Sequence, residues 1–369
     1  MFLQWPFIIH IKMKNYLSML LIGAAAWLKT DSTDNLPINK IQVIGSHNSY
    51  KKAIDPALFK VFQQMDPKSA NALDYEHIPI IDQLNMGLQN LEIDIYSDEK
   101  GGRYAHPKGL DWVKNQPPYD EQGVMKKPGF KILHVPELDF RSDYLTFSQC
   151  LKALRAWSDA HPDHGPVFIT LEPKDSEPKN PTWTKPEPFT EKTFDQVDSV
   201  ILADLGREHL ITPDLVRGKH KTLNEAITHN GWPTVKAVKG KFAFILDDKK
   251  EKMQRYIAGH HSLKGRVVFA NAPVGTPEAA MMIINDPQDP SIPQLVKQGY
   301  FIRTRADSDT KQARTNDRTD FTAACNSGAQ IITTDYYLKS THFPSDYSVS
   351  FEGGKYVRPN PVLVPHPNQ

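Results

Sequence analysis

The chain has 369 residues, 39% hydrophobic and 24% charged, with 44 basic and 43 acidic side chains and a net charge of +1. That balance excludes a protein that coats nucleic acid through bulk charge. The 29 prolines are spread among recurring apolar runs, which suits stiffened surface loops around one large core rather than disorder.

Residues 1–26 read as a leader. Lys12 and Lys14 precede an apolar stretch over residues 17–26 that ends in three alanines, Ala24 to Ala26. A basic segment, a short apolar segment and small residues at the end form the layout of a cleavable secretory signal. The stretch is shorter than the roughly 20 apolar residues of a membrane span. Met13 is an alternative start. The expectation is a secreted or periplasmic protein whose folded part is residues 27–369.

The first apolar run of that part, residues 41–46, ends in His47-Asn48. A second, Leu91-Glu92-Ile93-Asp94-Ile95-Tyr96, carries two carboxylates two residues apart, which puts both on the same face of a strand. A third short run, 131–134, ends at His134, and a fourth, 167–172, ends at Glu172. Residues 96–131 are long for a strand-to-strand connection, and residues 173–190 are rich in proline. Both are expected to rise above the strand ends, with Trp112 and Trp183 as aromatic contacts for a membrane surface.

Helical spacing follows over residues 191–205 and 222–227. Further apolar runs cover residues 242–246, 267–270, 300–303 and 330–334. Residues 279–284 fit a strand or a helix. Eight strands with intervening helical patterns, and no Gly-x-Gly-x-x-Gly turn after the first, predict a TIM-type (β/α)8 barrel of one domain with long βα loops. Cys150 and Cys325 fall in helical segments on separate sectors of such a barrel and are expected to remain unpaired.

In a parallel barrel the carboxyl ends of all strands converge on one mouth, so the polar residues that end these runs are neighbours in space. Asn48, Glu92, Asp94 and Glu172 offer only oxygen ligands, a set for a hard cation. Calcium is preferred for its tolerance of irregular geometry, with magnesium the alternative. His47 and His134 flank the set and suit general base and general acid. Three carboxylates with one divalent cation leave net negative charge, so a phosphodiester needs fixed cations. Lys174 follows Glu172 by two residues, and Arg303 and Arg305 end the seventh run. For Arg303 an ion pair inside the barrel is the competing role.

The succession Ser46-His47-Asn48-Ser49-Tyr50, Glu92-Ile93-Asp94, His134 and Glu172, with Arg303-Thr304-Arg305-Ala306-Asp307 and residues 328–337 later, resembles the phosphatidylinositol-specific phospholipases C. It is closest to their calcium-dependent bacterial branch. The likeness covers about residues 40–340. It implies that His47 is the base on the inositol 2-hydroxyl and His134 the acid on the leaving diacylglycerol oxygen. It also implies that Asn48, Glu92, Asp94 and Glu172 bind calcium, and that phosphatidylinositol is cleaved to diacylglycerol and a cyclic inositol phosphate. In a closed barrel the eighth strand neighbours the first, so Asp335 is expected to orient His47. Where eukaryotic members place a tyrosine after the arginine, this chain has Asp307. Two other functions fit parts of the pattern. A glycerophosphodiester phosphodiesterase shares the Glu-x-Asp, though that family has His-Arg-Gly where this chain has His47-Asn48-Ser49. A calcium-dependent inositide or sugar-phosphate binder without turnover would lack one of the two histidines. No nucleic acid and no protein partner are expected.

Overall fold

Eight parallel strands, each ending in a polar or charged turn, wind into a nearly closed TIM-type barrel in a computed structural model that describes residues 33–364. The expected leader lies outside the described residues. The strands are β1 (Ile41–Ser46), β2 (Asn90–Ile95), β3 (Val167–Pro173), β4 (Phe242–Leu246), β5 (Val268–Ala270), β6 (Met281–Ile283), β7 (Phe301–Arg305) and β8 (Ile331–Thr334). Their order around the sheet is β5-β4-β3-β2-β1-β8-β7-β6. Between β5 and β6 the ladder is interrupted, and there Asn271 Oδ1 accepts from the Ile283 amide at 3.1 Å. A ninth strand, β9 (Val357–Pro359), runs antiparallel along β1.

The barrel interior is filled. Phe168 on β3 and Phe301 on β7 meet across it with ring centroids 4.7 Å apart, and Trp232 packs on Phe301 at 5.6 Å. Helices with defined caps lie between strands. The helix Phe147–Ala160 opens with a Thr146/Gln149 capping box, and Glu191–Asp204 opens on Thr190, whose side chain accepts from the Thr193 amide. Cys150 and Cys325 lie on the first of these helices and on the last, and neither is in a disulfide. No helix among the described residues is long and apolar enough to cross a membrane.

Two elements differ from the sequence expectation. Residues 131–134 are not the third barrel strand. Lys131 instead bridges Tyr96 antiparallel, with both amide-to-carbonyl bonds at 2.9 Å, above the end of β2. Only Ile132 and Leu133 are apolar there, too few to bury a strand on both faces, and Pro136 follows. The eighth position is taken by β6, within the segment that fitted either strand or helix.

Register decides what meets at the mouth. β2 and β3 pair so that Asp94 stands beside Glu172. β1 approaches β2 closely at Gly45, where a Cβ would lie 2.3 Å from the Asn90 carbonyl oxygen. The turn after β1 is tied to β2 by Ser49, whose amide donates to the Glu92 carbonyl at 2.9 Å while its hydroxyl accepts from the Glu92 amide at 2.7 Å. These bonds place His47 and Asn48 over Glu92.

Candidate active site

Each histidine is backed by a buried carboxylate. His47 Nδ1 lies 2.8 Å from Asp335 Oδ1, at the end of neighbouring β8. His134 Nδ1 lies 2.9 Å from Asp139 Oδ2, across a tight turn in which the His134 and Val135 amides both donate to the Asp139 carbonyl. The acceptor in each case fixes the proton on Nδ1 and turns Nε2 into the site, where that of His47 lies 3.4 Å from Glu92 Oε1. Arg305 Nη2 also approaches His47 Nδ1, at 3.0 Å. One ring nitrogen cannot donate to Asp335 and accept from Arg305 together. The shorter carboxylate contact takes the hydrogen, and Arg305 acts through its charge. Burial, then the Arg305 guanidinium, hold His47 well below the ordinary imidazole range, so it is neutral. The charge of His134 also acts on His47, as expected for two groups in one mouth.

Between the histidines lies an acidic floor. Glu92, Glu172 and Asp247 each bring an oxygen within 4.8 Å of the others. Asp94 is fully buried beside them; its carboxylate lies 3.3 Å from Lys174 Nζ, which also donates to Glu172 at 2.9 Å. Burial pushes the Asp94 carboxyl up to about 7 against the pull of Lys174. Burial raises Glu172 too, but the Lys174 ammonium and its hydrogen bond, with the two histidines, together hold that carboxyl below its usual value. Arg303 reaches across from β7 to pair with Glu92 and with Asn285. Asn48, in the left-handed region with φ 48°, gives its amide hydrogens to Tyr75 at 2.9 Å. Its buried Oδ1 has no partner among the described residues.

The model of the family described as "Phosphoinositide phospholipase C, Ca2+-dependent" matches residues 36–361. The chain belongs to that family. Its members' fold recurs in solved structures. A calcium-dependent phosphoinositol-specific phospholipase C from a Gram-negative bacterium, Pseudomonas sp, is 18% identical with a TM-score of 0.52, over 89% of this chain and 96% of that one. The same enzyme was solved as a myoinositol complex, at 17% identity and TM-score 0.52, with the same coverage. A Ca2+-dependent phosphatidylinositol-specific phospholipase C from Streptomyces antibioticus is 18% identical with a TM-score of 0.50, over 82% of this chain and 95% of that one. A comparison with curated proteins finds no match.

Calcium is the family's cofactor, and the residues here fit it. With all four carboxyls ionised (Glu92, Asp94, Glu172, Asp247) against two cations, Arg303 and Lys174, the deficit is two charges, which one divalent ion makes up. The donors are all oxygen, and the Asn48 Oδ1 that lacks a partner is one of them. Of the four ligands expected from sequence, Glu92 and Glu172 share the acidic group with Asp247, Asp94 joins Glu172 through Lys174, and Asn48 lies on the turn that Ser49 ties to Glu92. Lys174 and Arg303 are engaged with carboxylates, whereas Arg305 stands at His47, 3.9 Å from Asp335.

Asp247, Asp139, Lys51 and Tyr75 are absent from the sequence expectation, which names Asp307 without a role. Asp247 directly follows β4, so the strand-end rule that singled out Glu172 applies to it equally. Asp139 and Lys51 form a relay behind His134, with Lys51 Nζ 3.1 Å from Asp139 Oδ1 and both residues buried. Tyr75 touches both Asn48 and His47. Asp307 is buried, and its carboxylate accepts from the Asp335 amide at 2.9 Å and from Tyr347 at 3.2 Å. It therefore braces the residue that holds His47.

Proposed function

We propose that this family member cleaves phosphatidylinositol to diacylglycerol and a cyclic inositol phosphate by paired histidine catalysis. The observation that carries this reading is the duplication of one device. Two imidazoles, each with Nδ1 held by a buried carboxylate, flank one acidic floor.

His47, neutral and held by Asp335, takes the proton of the inositol 2-hydroxyl at Nε2 as that oxygen bonds to phosphorus. His134, held by Asp139, delivers a proton from Nε2 to the glycerol oxygen as its bond to phosphorus breaks. Each transfer is worth roughly 10²–10⁴-fold. Arg305 offsets phosphate charge beside the base, with Lys174 and Arg303 supplying further positive charge at the floor. Glu92, Asp94, Glu172 and Asn48, with Asp247 nearby, would hold calcium, which would acidify the attacking hydroxyl and offset phosphate charge. Water can then open the cyclic product with the histidine roles reversed.

The layout of residues 12–26 supports export, and exposed apolar side chains support transient contact with a bilayer. Met65, Trp112, Leu215, Val274 and Leu338 are exposed, and Met65 stands in the wall of the cavity that His134 also lines. The deciding experiment is a calcium titration of activity on phosphatidylinositol vesicles, with phosphorus NMR of the products. A cyclic phosphodiester signal that disappears in excess chelator is expected. Turnover restricted to glycerophosphoinositol, or indifference to chelator, overturns the reading.

A further inference from the structure

Two cavities of different character flank the histidine pair, the larger richer in apolar side chains. One, about 290 Å³, is walled by Asn285, Asp286, Arg305, Asp307 and Ser308, and its Arg305 touches His47. The other, about 590 Å³, has Phe62, Met65, Leu73, Val135, Leu138 and Trp183 in its wall, together with His134 and the charged Asp66, Glu137, Lys174 and Lys179. Hydrocarbon thus adjoins the acid and polar groups adjoin the base. A substrate whose attacking half is a polyol and whose departing half is apolar matches that asymmetry.

We propose that the larger cavity is a binding site for the leaving group, taking the glycerol ester and the first acyl methylenes of the departing diacylglycerol. The proposal rests on the phospholipase reading above and adds a contact that reading does not contain: recognition of the hydrocarbon by the protein rather than by the bilayer alone. Position supplies the argument. The leaving oxygen must reach His134 Nε2, and the groups bonded to that oxygen must occupy the space His134 faces. The walls come from the helices Pro56–Met65 and Pro67–Ala72, the 135–138 turn and the 176–186 loop. Phe62 and Leu138 are buried members of an apolar cluster on which Trp183, Leu73 and Val135 pack. Met65 is 52% exposed, so the cavity reaches the surface. Its volume lies within the roughly 300–1,000 Å³ of small-ligand sites, and such sites are typically apolar with a few polar groups at one point.

The test uses the full chain at saturating calcium with monomeric substrates, so that no bilayer contributes. Dibutanoyl, dipentanoyl and dihexanoyl phosphatidylinositol, each below its aggregation concentration, are compared with an inositol methyl phosphodiester. For wild type, kcat/KM should rise roughly fourfold per methylene buried. Ala72→Trp fills the cavity, and Met65→Lys places a charge at its rim. Each should cut the ratio of kcat/KM for dihexanoyl over methyl substrate at least tenfold. A solvent-exposed methionine tolerates lysine, so Met65→Lys keeps the test available if Ala72→Trp does not fold. A flat wild-type series with good turnover of the methyl diester overturns the cavity proposal alone. So does an unchanged ratio in a folded variant. No turnover of any of the four substrates overturns the phospholipase reading and the cavity proposal together.

Discussion

Asp139 bridges His134 and Lys51. One carboxylate oxygen lies 2.9 Å from His134 Nδ1 and the other 3.1 Å from Lys51 Nζ, with Lys51 and Asp139 both buried. Burial alone would raise the Asp139 carboxyl, but the Lys51 ammonium, then His134, bring it below its usual value, so it stays ionised. Held at Nδ1 by that carboxylate, the His134 ring is fixed in orientation with Nε2 turned away from Asp139.

Asp139→Asn should therefore lower kcat by roughly 10²–10⁴-fold. It should also cost about 3–5 kcal/mol in stability, because Lys51 is left buried without its counter-charge. The double variant Lys51→Met/Asp139→Asn should recover much of the stability and none of the activity. Denaturant midpoints and kcat measured on all three separate the two effects. If activity returns with stability in the double variant, Asp139 acts only as a structural partner of Lys51.

Calcium should stabilise the protein as well as activate it, since the four carboxylates are drawn together only in the folded chain. An ion bound to the folded state alone adds about 2.7 kcal/mol when its free concentration is a hundred times Kd. The thermal midpoint of wild type should rise with calcium and fall back in chelator. Asp94→Asn and Glu172→Gln should lose most of that rise. Asp247→Asn tests the carboxylate that sequence reasoning passed over, and a full calcium response in that variant removes it from the ligand set.

What could be read in the chain beforehand follows the range of the interactions. Strand ends are local features, so Glu92, Asp94, Glu172, Arg305 and Asp335 stood out from apolar runs and spacing. The run ending at His134 looked like a barrel strand because two apolar residues before a polar one carry the same local signal as a short buried strand. Its actual antiparallel bridge to Tyr96 depends on the folded 96–131 connection. β6 gave three apolar residues without period, which fit helix and strand alike. Lys51 is a lysine in a polar turn by sequence, and only tertiary packing makes it a buried partner of Asp139. Nothing local marks Tyr75 either. Asp247 was legible by the rule already in use.

The 338–343 loop is fastened beside the mouth by His342, whose Nδ1 lies 2.7 Å from Asp74. The hydrogen bond to Asp74 raises the imidazole above its usual 6.5. Burial alone would raise Asp74, but its bonds to His342 and Arg314 hold it below its usual value. A histidine with a raised folded pKa contributes stability that is complete below its unfolded pKa and lost as pH rises through the folded one. The difference in thermal midpoint between wild type and His342→Gln should thus be largest near about pH 6 and shrink by about pH 9. A difference that grows with pH would show that His342 acts through packing rather than charge.

Trp112 and Trp183 both sit on long loops, yet their surroundings differ. Trp112 is 36% exposed at the end of the short helix Gly109–Trp112, whereas Trp183 packs on the cluster of Phe62 and Leu138 in the cavity wall. A net charge of +1 gives little general attraction to an anionic bilayer, so contact depends on apolar groups at the mouth. Tryptophan suits that boundary because its ring is apolar and its N–H stays hydrated. Trp112→Ala should lower activity on phosphatidylinositol vesicles several-fold and leave kcat/KM on monomeric short-chain substrate within about twofold of wild type. Trp183→Ala should lower both, because it opens the cavity beside His134. Vesicle sedimentation checks the cause directly, with Trp112→Ala retained less than wild type at equal lipid. Equal losses of Trp112→Ala on vesicles and monomers would place that side chain in the support of the site and remove it from the membrane contact.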